Sequence, residues 1–166
     1  MKPRIQIVEK RSLFGPEFVL ETEQWIPRSV AELFQFFSLE TNLETITPPF
    51  MGFRVLGKTT PQIEEGTLIR YRLKVHGIPM GWTTRIENWE PGKKFVDTQL
   101  RGPYSLWHHT HTFEAKDGGT LMRDVVRFRL PLGWLGRIAA GWMVKRDVRT
   151  IFEYRRGVIE RIFPIE

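Results

Sequence analysis

From Phe53 to Leu130 the chain is cut at short intervals by turn signals: Gly66, His76-Gly77-Ile78-Pro79, Pro91-Gly92, Gly102-Pro103 and Asp117-Gly118-Gly119. Between them lie segments of roughly ten residues in which apolar and polar side chains alternate, the period of a strand with one buried face. In Thr67 to His76, Ile69, Tyr71, Leu73 and Val75 take one side and Arg70, Arg72, Lys74 and His76 the other. In Leu121 to Leu130, Met122, Val126, Phe128 and Leu130 point inward with Asp124 among them, while Arg123, Arg127 and Arg129 point out. A meander of long antiparallel hairpins follows, and its apolar face needs a cover.

After Pro131-Leu132-Gly133 the spacing becomes helical, with Leu135, Ile138, Ala139, Trp142, Val148, Ile151, Phe152 and Ile159 read as one broad stripe. A terminal helix of roughly 25 to 30 residues would be that cover. Ahead of the meander, Phe18 to Ile26 reads as a first strand. Pro27 then opens a helix carrying Val30, Leu33, Phe34 and Phe37, and a second short helix runs from about Leu39 to Ile46, ended by Thr47-Pro48-Pro49. The expected class is α+β, an antiparallel sheet of about seven strands around a long C-terminal helix, in one domain over residues 1–166.

The chain has 166 residues, enough to bury a core without staples, and no cysteine, which excludes disulfides, thiolate metal sites and cysteine nucleophiles. Met1 to Arg11 mixes charge with Ile5, Ile7 and Val8 and lacks the apolar run of a secretory signal, and no stretch approaches the ~18 apolar residues that span a bilayer. A cytoplasmic location is expected. Neither a phosphate-binding glycine loop nor a Gly-x-Ser-x-Gly elbow occurs.

His109 and His111 are two apart on a strand and share the face of Phe113. With Asp124 opposite, three readings stand. The favoured one is a buried polar network without metal or cofactor, in which the carboxylate fixes an imidazole tautomer and Gln99 or Arg101 satisfies the rest. A second is a general base oriented by a carboxylate, and a third is a divalent metal on a facial triad. On Lys94 to Arg101, Phe95, Asp97, Gln99 and Arg101 share a face that lines the interior if Phe95 points inward, whereas the opposite register puts Val96 and Leu100 inside. On the strand before it, Trp82, Thr84, Ile86 and Asn88 fall together, with Arg85 and Trp89 opposite.

The order of elements, with Asn42-Leu43-Glu44-Thr45-Ile46-Thr47-Pro48-Pro49, Leu100-Arg101-Gly102-Pro103-Tyr104 and Trp107-His108-His109-Thr110-His111-Thr112-Phe113, resembles the START/Bet v 1-like superfamily and its bacterial polyketide cyclase/dehydrase-type branch. The resemblance covers nearly the whole chain. It implies a helix-grip fold with an apolar cavity between sheet and C-terminal helix, and a role in binding, carrying or transforming lipids, polyketides, hormones or quinones. Tyr71, Leu73, Trp82, Phe95, Gln99 and Arg101 are expected to line that cavity from the sheet, joined by Trp107, His109, His111, Asp124 and Phe128. Ile138 and Trp142 are expected to line it from the helix, and Phe50, Met51, Ile78 and Met80 to form its rim. Gly141 inside the helix marks a close approach by a ligand or a neighbouring backbone.

Lys plus Arg exceed Asp plus Glu by 25 − 19 = 6. Lys145, Arg146, Arg149, Arg155, Arg156 and Arg161 crowd the last helix, a pattern suited either to a solvated face or to transient contact with an anionic membrane. Arg70, Arg72, Lys74, Arg127 and Arg129 would give the sheet a basic exterior, but no nucleic-acid motif accompanies them and no nucleic-acid partner is expected. The expected partner is a small hydrophobic molecule.

Overall fold

A computed structural model describes residues 5–165, so Met1 to Arg4 of the charged start lie outside the described residues. Eight strands form one antiparallel sheet: β1 (Gln6–Ser12), β2 (Gly15–Ile26), β3 (Arg54–Lys58), β4 (Leu68–Val75), β5 (Ile78–Glu90), β6 (Lys94–Arg101), β7 (Leu106–Lys116) and β8 (Gly119–Arg129). Their spatial order is β1-β2-β8-β7-β6-β5-β4-β3, so the meander from β3 to β8 is joined to the N-terminal hairpin through β2. The helices are α1 (Val30–Phe37), α2 (Asn42–Thr45) and the 30-residue α3 (Gly133–Ile162), with a 3-10 turn at Pro49–Met51.

The eighth strand is β1, an edge strand that leaves most of its side chains exposed or half-exposed, and so lacks the alternation that marks the others. It pairs with β2 through a tight turn at Leu13-Phe14. Gly15, at φ 105, is required there, because a Cβ would sit 3.1 Å from Gly133 Cα at the start of α3. That contact ties the hairpin tip to the helix start.

α1 begins at Ser29 in a capping box: Glu32 N–H donates to Ser29 Oγ at 3.3 Å, and Ser29 N–H donates to Glu32 Oε2 at 3.2 Å. Its buried Leu33, Phe34 and Phe37 close one end of the sheet over Phe95, Phe113 and Met122. Phe34 meets Phe95 and Phe113 edge-on at 5.9 and 5.6 Å. A second cluster joins Phe18, Leu20, Val126 and Phe128 of the sheet to Val148 and Phe152 of α3.

Two bulges decide which strand residues face inward. Gln99 pairs with Thr84 and Arg101 with Thr83, so Leu100 is an extra residue. Thr84 is buried on the inner face; Arg101, partnered by Thr83, therefore turns outward and is exposed. A second irregularity between Glu87 and Glu90, with Asn88 at φ 50, turns Asn88 out and brings Trp89 in against Phe34 and Phe95. Both points correct the strict alternation expected for β5 and β6.

α3 does not bury one continuous stripe. Val148, Phe152, Val158 and Ile159 are buried, whereas Leu135, Ile138 and Trp142 in the N-terminal half of the helix are exposed. Gly141 is buried: a Cβ there would press on Arg137 Cγ at 3.3 Å and meet Phe18 Cζ at an ordinary 3.6 Å contact.

Candidate functional site

Midway along the sheet, β6, β7 and β8 each place polar groups on the covered face. Phe95 pairs with His111 and Asp97 with His109 across β6 and β7, and His111 pairs with Asp124 across β7 and β8. Because directly opposed residues share a face, both imidazoles sit between two carboxylates. Arg155 reaches them from α3, on the same buried side as Val148, Phe152 and Ile159.

The contacts form a double clamp. Asp124 Oδ1 lies 2.9 Å from His109 Nε2 and 3.0 Å from His111 Nδ1. Asp97 Oδ2 lies 2.9 Å from His111 Nε2 and 3.3 Å from His109 Nδ1. Arg155 donates to Asp124 Oδ1 at 3.3 Å, and its guanidinium spans the rings of Phe37 and Phe152 at 5.1 and 5.6 Å. The imidazoles lie 3.8 Å apart centre to centre, and Phe95 stacks on His111 at 4.3 Å.

Burial and neighbours split the two histidines. Burial, reinforced by the charge of His111, pushes His109 down to about 4, so it is neutral near pH 7. Burial also opposes the charge on His111, but its hydrogen bonds to Asp124 and Asp97 outweigh that and raise its pKa. Burial would raise Asp124; Arg155 and the two histidines instead hold it well below the usual carboxylate range. Asp97 is lowered in the same way by His109 and His111 against the same burial. The two carboxylates are matched by Arg155 and by hydrogen bonds with the imidazoles, which is how so many ionisable groups share an apolar interior.

The residues expected to line a cavity from the sheet do not come together at one place. His109, His111, Asp124 and Phe95 meet in the cluster. Tyr71 and Leu73 are buried, Tyr71 against Phe53, Ile63, Ile69 and Ile86. Trp82 and Trp107 pack edge-on at 5.3 Å beside Tyr104, and Trp107 rests on Phe128 at 5.9 Å. Gln99 fastens the β6–β7 connection, its Nε2 donating to Tyr104 O at 2.7 Å, and takes no part in the histidine cluster. Arg101 is exposed and so does not contribute.

With these side chains in place, the space left beside Asp124 and Arg155 is about 10 Å³, no more than a water molecule needs. A larger, open groove of about 320 Å³ lies elsewhere, between the N-terminal half of α3 and the β1–β2 hairpin. Phe18 and Gly141 form its floor; Glu9, Arg137 and Lys145 edge it. Ile138 and Trp142, expected to face an enclosed cavity, are 71% and 65% exposed and line this groove instead, because the N-terminal half of the helix leaves them uncovered. The expected rim residues Phe50 and Ile78 are exposed but are not among the groove's walls.

Two members of the cluster were not singled out from sequence as site residues. Asp97 was grouped with the inward face of its strand, and only the pairing of β6 with β7 shows that it meets both rings. Arg155 reads as one of many basic residues on α3, yet it is buried; its spacing of three from Phe152 and four from Ile159 was the available signal. Of the sheet's basic exterior, Arg127 and Arg129 both contact Glu17, at 2.7 and 3.2 Å, while Arg70, Arg72 and Lys74 are exposed.

Protein Ms6760 from Mycobacterium smegmatis superposes with a TM-score of 0.66 at 14% identity, covering 95% of both chains. The Zhui aromatase/cyclase from Streptomyces sp. R1128 gives 0.69 at 13% identity, over 89% of this chain and 97% of that one. Ara h 8.0201 gives 0.58 at 18% identity, over 86% and 97%. The chain has the helix-grip fold of the START/Bet v 1-like proteins. This helix-grip chain has eight strands where about seven were expected. No protein-family model matches its sequence, and no curated protein matches it.

Proposed function

We propose that this helix-grip protein binds a small apolar or amphipathic molecule in the groove between α3 and the β1–β2 hairpin, and exchanges it at an anionic membrane surface. The observation that carries the reading is the groove itself: about 320 Å³ with an apolar floor at Phe18, apolar walls at Ile138 and Trp142, and Lys145 and Arg137 at its edge. Apolar walls with a few charged groups are the usual makeup of a small-molecule site, and Lys145, the cation left once Arg137 pairs with Glu9 at 2.7 Å, suits a ligand with an anionic end.

The surroundings favour a membrane as the source. Leu13 at the hairpin tip is 100% exposed and Leu132 before α3 is 80% exposed, next to the outward Leu135. Along the same side of the helix, Trp142 is followed at four and seven residues by exposed Arg146 and Arg149. Arg146 lies over the Trp142 ring at 5.3 Å. An exposed apolar stripe with tryptophan and adjacent cations fits an interfacial helix on anionic lipid. Among the described residues no helix is long and apolar enough to cross a membrane, so the contact would be peripheral. A cytoplasmic location is part of this reading.

The test is native mass spectrometry of the purified protein with organic extraction, paired with sedimentation on phosphatidylglycerol and phosphatidylcholine vesicles. Retained lipid-like ligand, lost in Gly141→Leu, and binding to the anionic vesicles alone are expected. An empty protein indifferent to Gly141→Leu and to both vesicles would overturn the reading.

A second reading is an acid–base enzyme of the cyclase or dehydratase kind, supported by two adjacent histidines whose pKa values are shifted in opposite directions and by the aromatase/cyclase among the fold neighbours. It requires the interior beside the cluster to open, and predicts turnover lost in His111→Ala with Ile138→Glu unaffected.

A further inference from the structure

The two carboxylates hold the same pair of imidazoles from opposite sides, and the two sides are not equivalent. On the Asp124 side, Arg155 NH2 lies 3.3 Å from both Asp124 Oδ1 and His111 Nδ1, so a cation already occupies that triangle. On the other side, Asp97 Oδ2 meets His111 Nε2 at 2.9 Å and His109 Nδ1 at 3.3 Å, and among the described residues Arg155 forms no ion pair with Asp97. Asp97 is the cluster's link to solvent, its side chain 21% exposed against 3% for Asp124.

From this asymmetry we propose that Asp97, His109 through Nδ1 and His111 through Nε2 form a binding site for one divalent first-row transition metal ion. One ligand atom from each of the three lies within 4.8 Å of the others. Metal bonds of about 2.0–2.2 Å at tetrahedral or octahedral angles put neighbouring donors about 3.0–3.4 Å apart, close to the 2.9 and 3.3 Å that Asp97 makes with the two nitrogens. The sequence-level triad placed Asp124 among the ligands; the structure gives that place to Asp97 and a supporting one to Asp124.

The support matters as much as the ligands. A ligating histidine normally donates its remaining N–H to a carboxylate, which fixes ring and tautomer. Here His109 Nε2 is hydrogen-bonded to Asp124 Oδ1 at 2.9 Å, while His111 Nδ1 lies 3.0 Å from that oxygen and 3.3 Å from the Arg155 guanidinium, which also holds Asp124. Phe95 and Phe152 lie against the two imidazoles and hold them from the sides. Two imidazoles and one carboxylate make an intermediate donor set suited to zinc, iron(II), cobalt(II) or nickel(II), and poor for calcium or magnesium, which take oxygen ligands. The site shares no residue with the groove walls and does not depend on a ligand in the groove.

The test titrates the chelator-stripped full chain with cobalt(II), read by its visible absorption, and with zinc(II), read by calorimetry. One equivalent of either ion is expected, zinc displacing cobalt, with binding abolished in Asp97→Asn and weakened about 10- to 100-fold in Asp124→Asn. His76→Ala, altering an exposed histidine paired with Asp147, leaves binding unchanged. X-ray absorption of the wild-type cobalt complex should show two imidazole nitrogens, a readout that stands if Asp97→Asn fails to fold. Absence of stoichiometric binding in the wild type, equal binding by a folded Asp97→Asn, loss in His76→Ala, or a spectrum without two imidazoles would each overturn the assignment.

Discussion

The two halves of α3 use similar residues for opposite ends. From Val148 onward the helix buries its apolar side, with Val148, Phe152, Val158 and Ile159 almost fully covered by the sheet and α1. Before Trp142 it turns Leu135 and Ile138 away from the protein and touches the sheet through Gly141 on Phe18. The second half is held by burial and by an ionic anchor at Arg155; the first leaves a groove. Apolar content alone does not tell a core face from a contact face. What separates them is position along the helix as well as around it: Ile138 and Phe152, fourteen residues and so about four turns apart, lie on nearly the same face, yet only Phe152 is covered.

The strongest way to break this contrast is at Arg155. Arg155→Ala leaves Asp124 buried beside two histidines without its cation, and losing one partner of a buried charge network costs about 3–5 kcal/mol. Urea unfolding measures it. Arg146→Ala, on the exposed side of the same helix, is expected to shift stability by no more than about 0.5 kcal/mol. Similar losses at the two arginines would mean that the halves do not differ as described.

An apolar pair sharpens the same point. Phe152→Ala removes a ring packed against His109 at 5.4 Å and buried among Phe18, Leu20 and Val126, at a cost of about 3–5 kcal/mol. Trp142→Ala removes a larger ring that is mostly exposed, and thermal unfolding should barely change. If Trp142→Ala is the more damaging of the two, the groove is closed in solution by the helix itself.

Much of this was legible in the sequence, for reasons that can be named. Strands β4 and β8 kept strict alternation because no bulge interrupts their central pairing, so Ile69, Tyr71, Leu73, Met122, Asp124, Val126 and Phe128 face inward as read. The alternation of β5 and β6 misled at Arg101 and Trp89, where an inserted residue reverses the faces. β1 escaped notice because an edge strand buries too little to show a pattern. His109, His111 and Asp124 were visible as a group, since residues two apart share a face. Asp97 depended on the register between β6 and β7, and Arg155 on a tertiary contact, neither of which is written in local spacing.

The ionic anchor should also give the metal-free protein a stability that falls on both sides of neutrality. His109 has a folded pKa of about 4 against 6.5 in the unfolded chain, so the unfolded state takes up protons first and stability is lost as pH falls from about 6.5 toward 4. His111 is raised above 6.5, so its contribution is complete below that value and is lost as pH rises through its folded pKa. Asp97 and Asp124 are both lowered, so their contributions are complete above about pH 3.8 and are lost as the pH falls from there through their folded values. Unfolding free energies from pH 4 to 9 should show His109→Gln flattening the acidic limb and His111→Gln the alkaline one. Reversed assignments would mean that the proton resides on His109.

The smallest expected effect on stability belongs to the outward half of α3, and it separates folding from function. Ile138→Glu and Trp142→Glu replace exposed apolar groups, so unfolding free energy should move by no more than about 0.5 kcal/mol. The same changes place negative charge beside Lys145 and Arg146 on the side proposed to meet anionic lipid, and should remove most sedimentation with phosphatidylglycerol vesicles. Unchanged stability with lost vesicle binding identifies the first half of α3 as a contact face. A loss of stability of several kcal/mol would show instead that Ile138 and Trp142 pack against the protein in solution, and the contrast between the two halves would disappear.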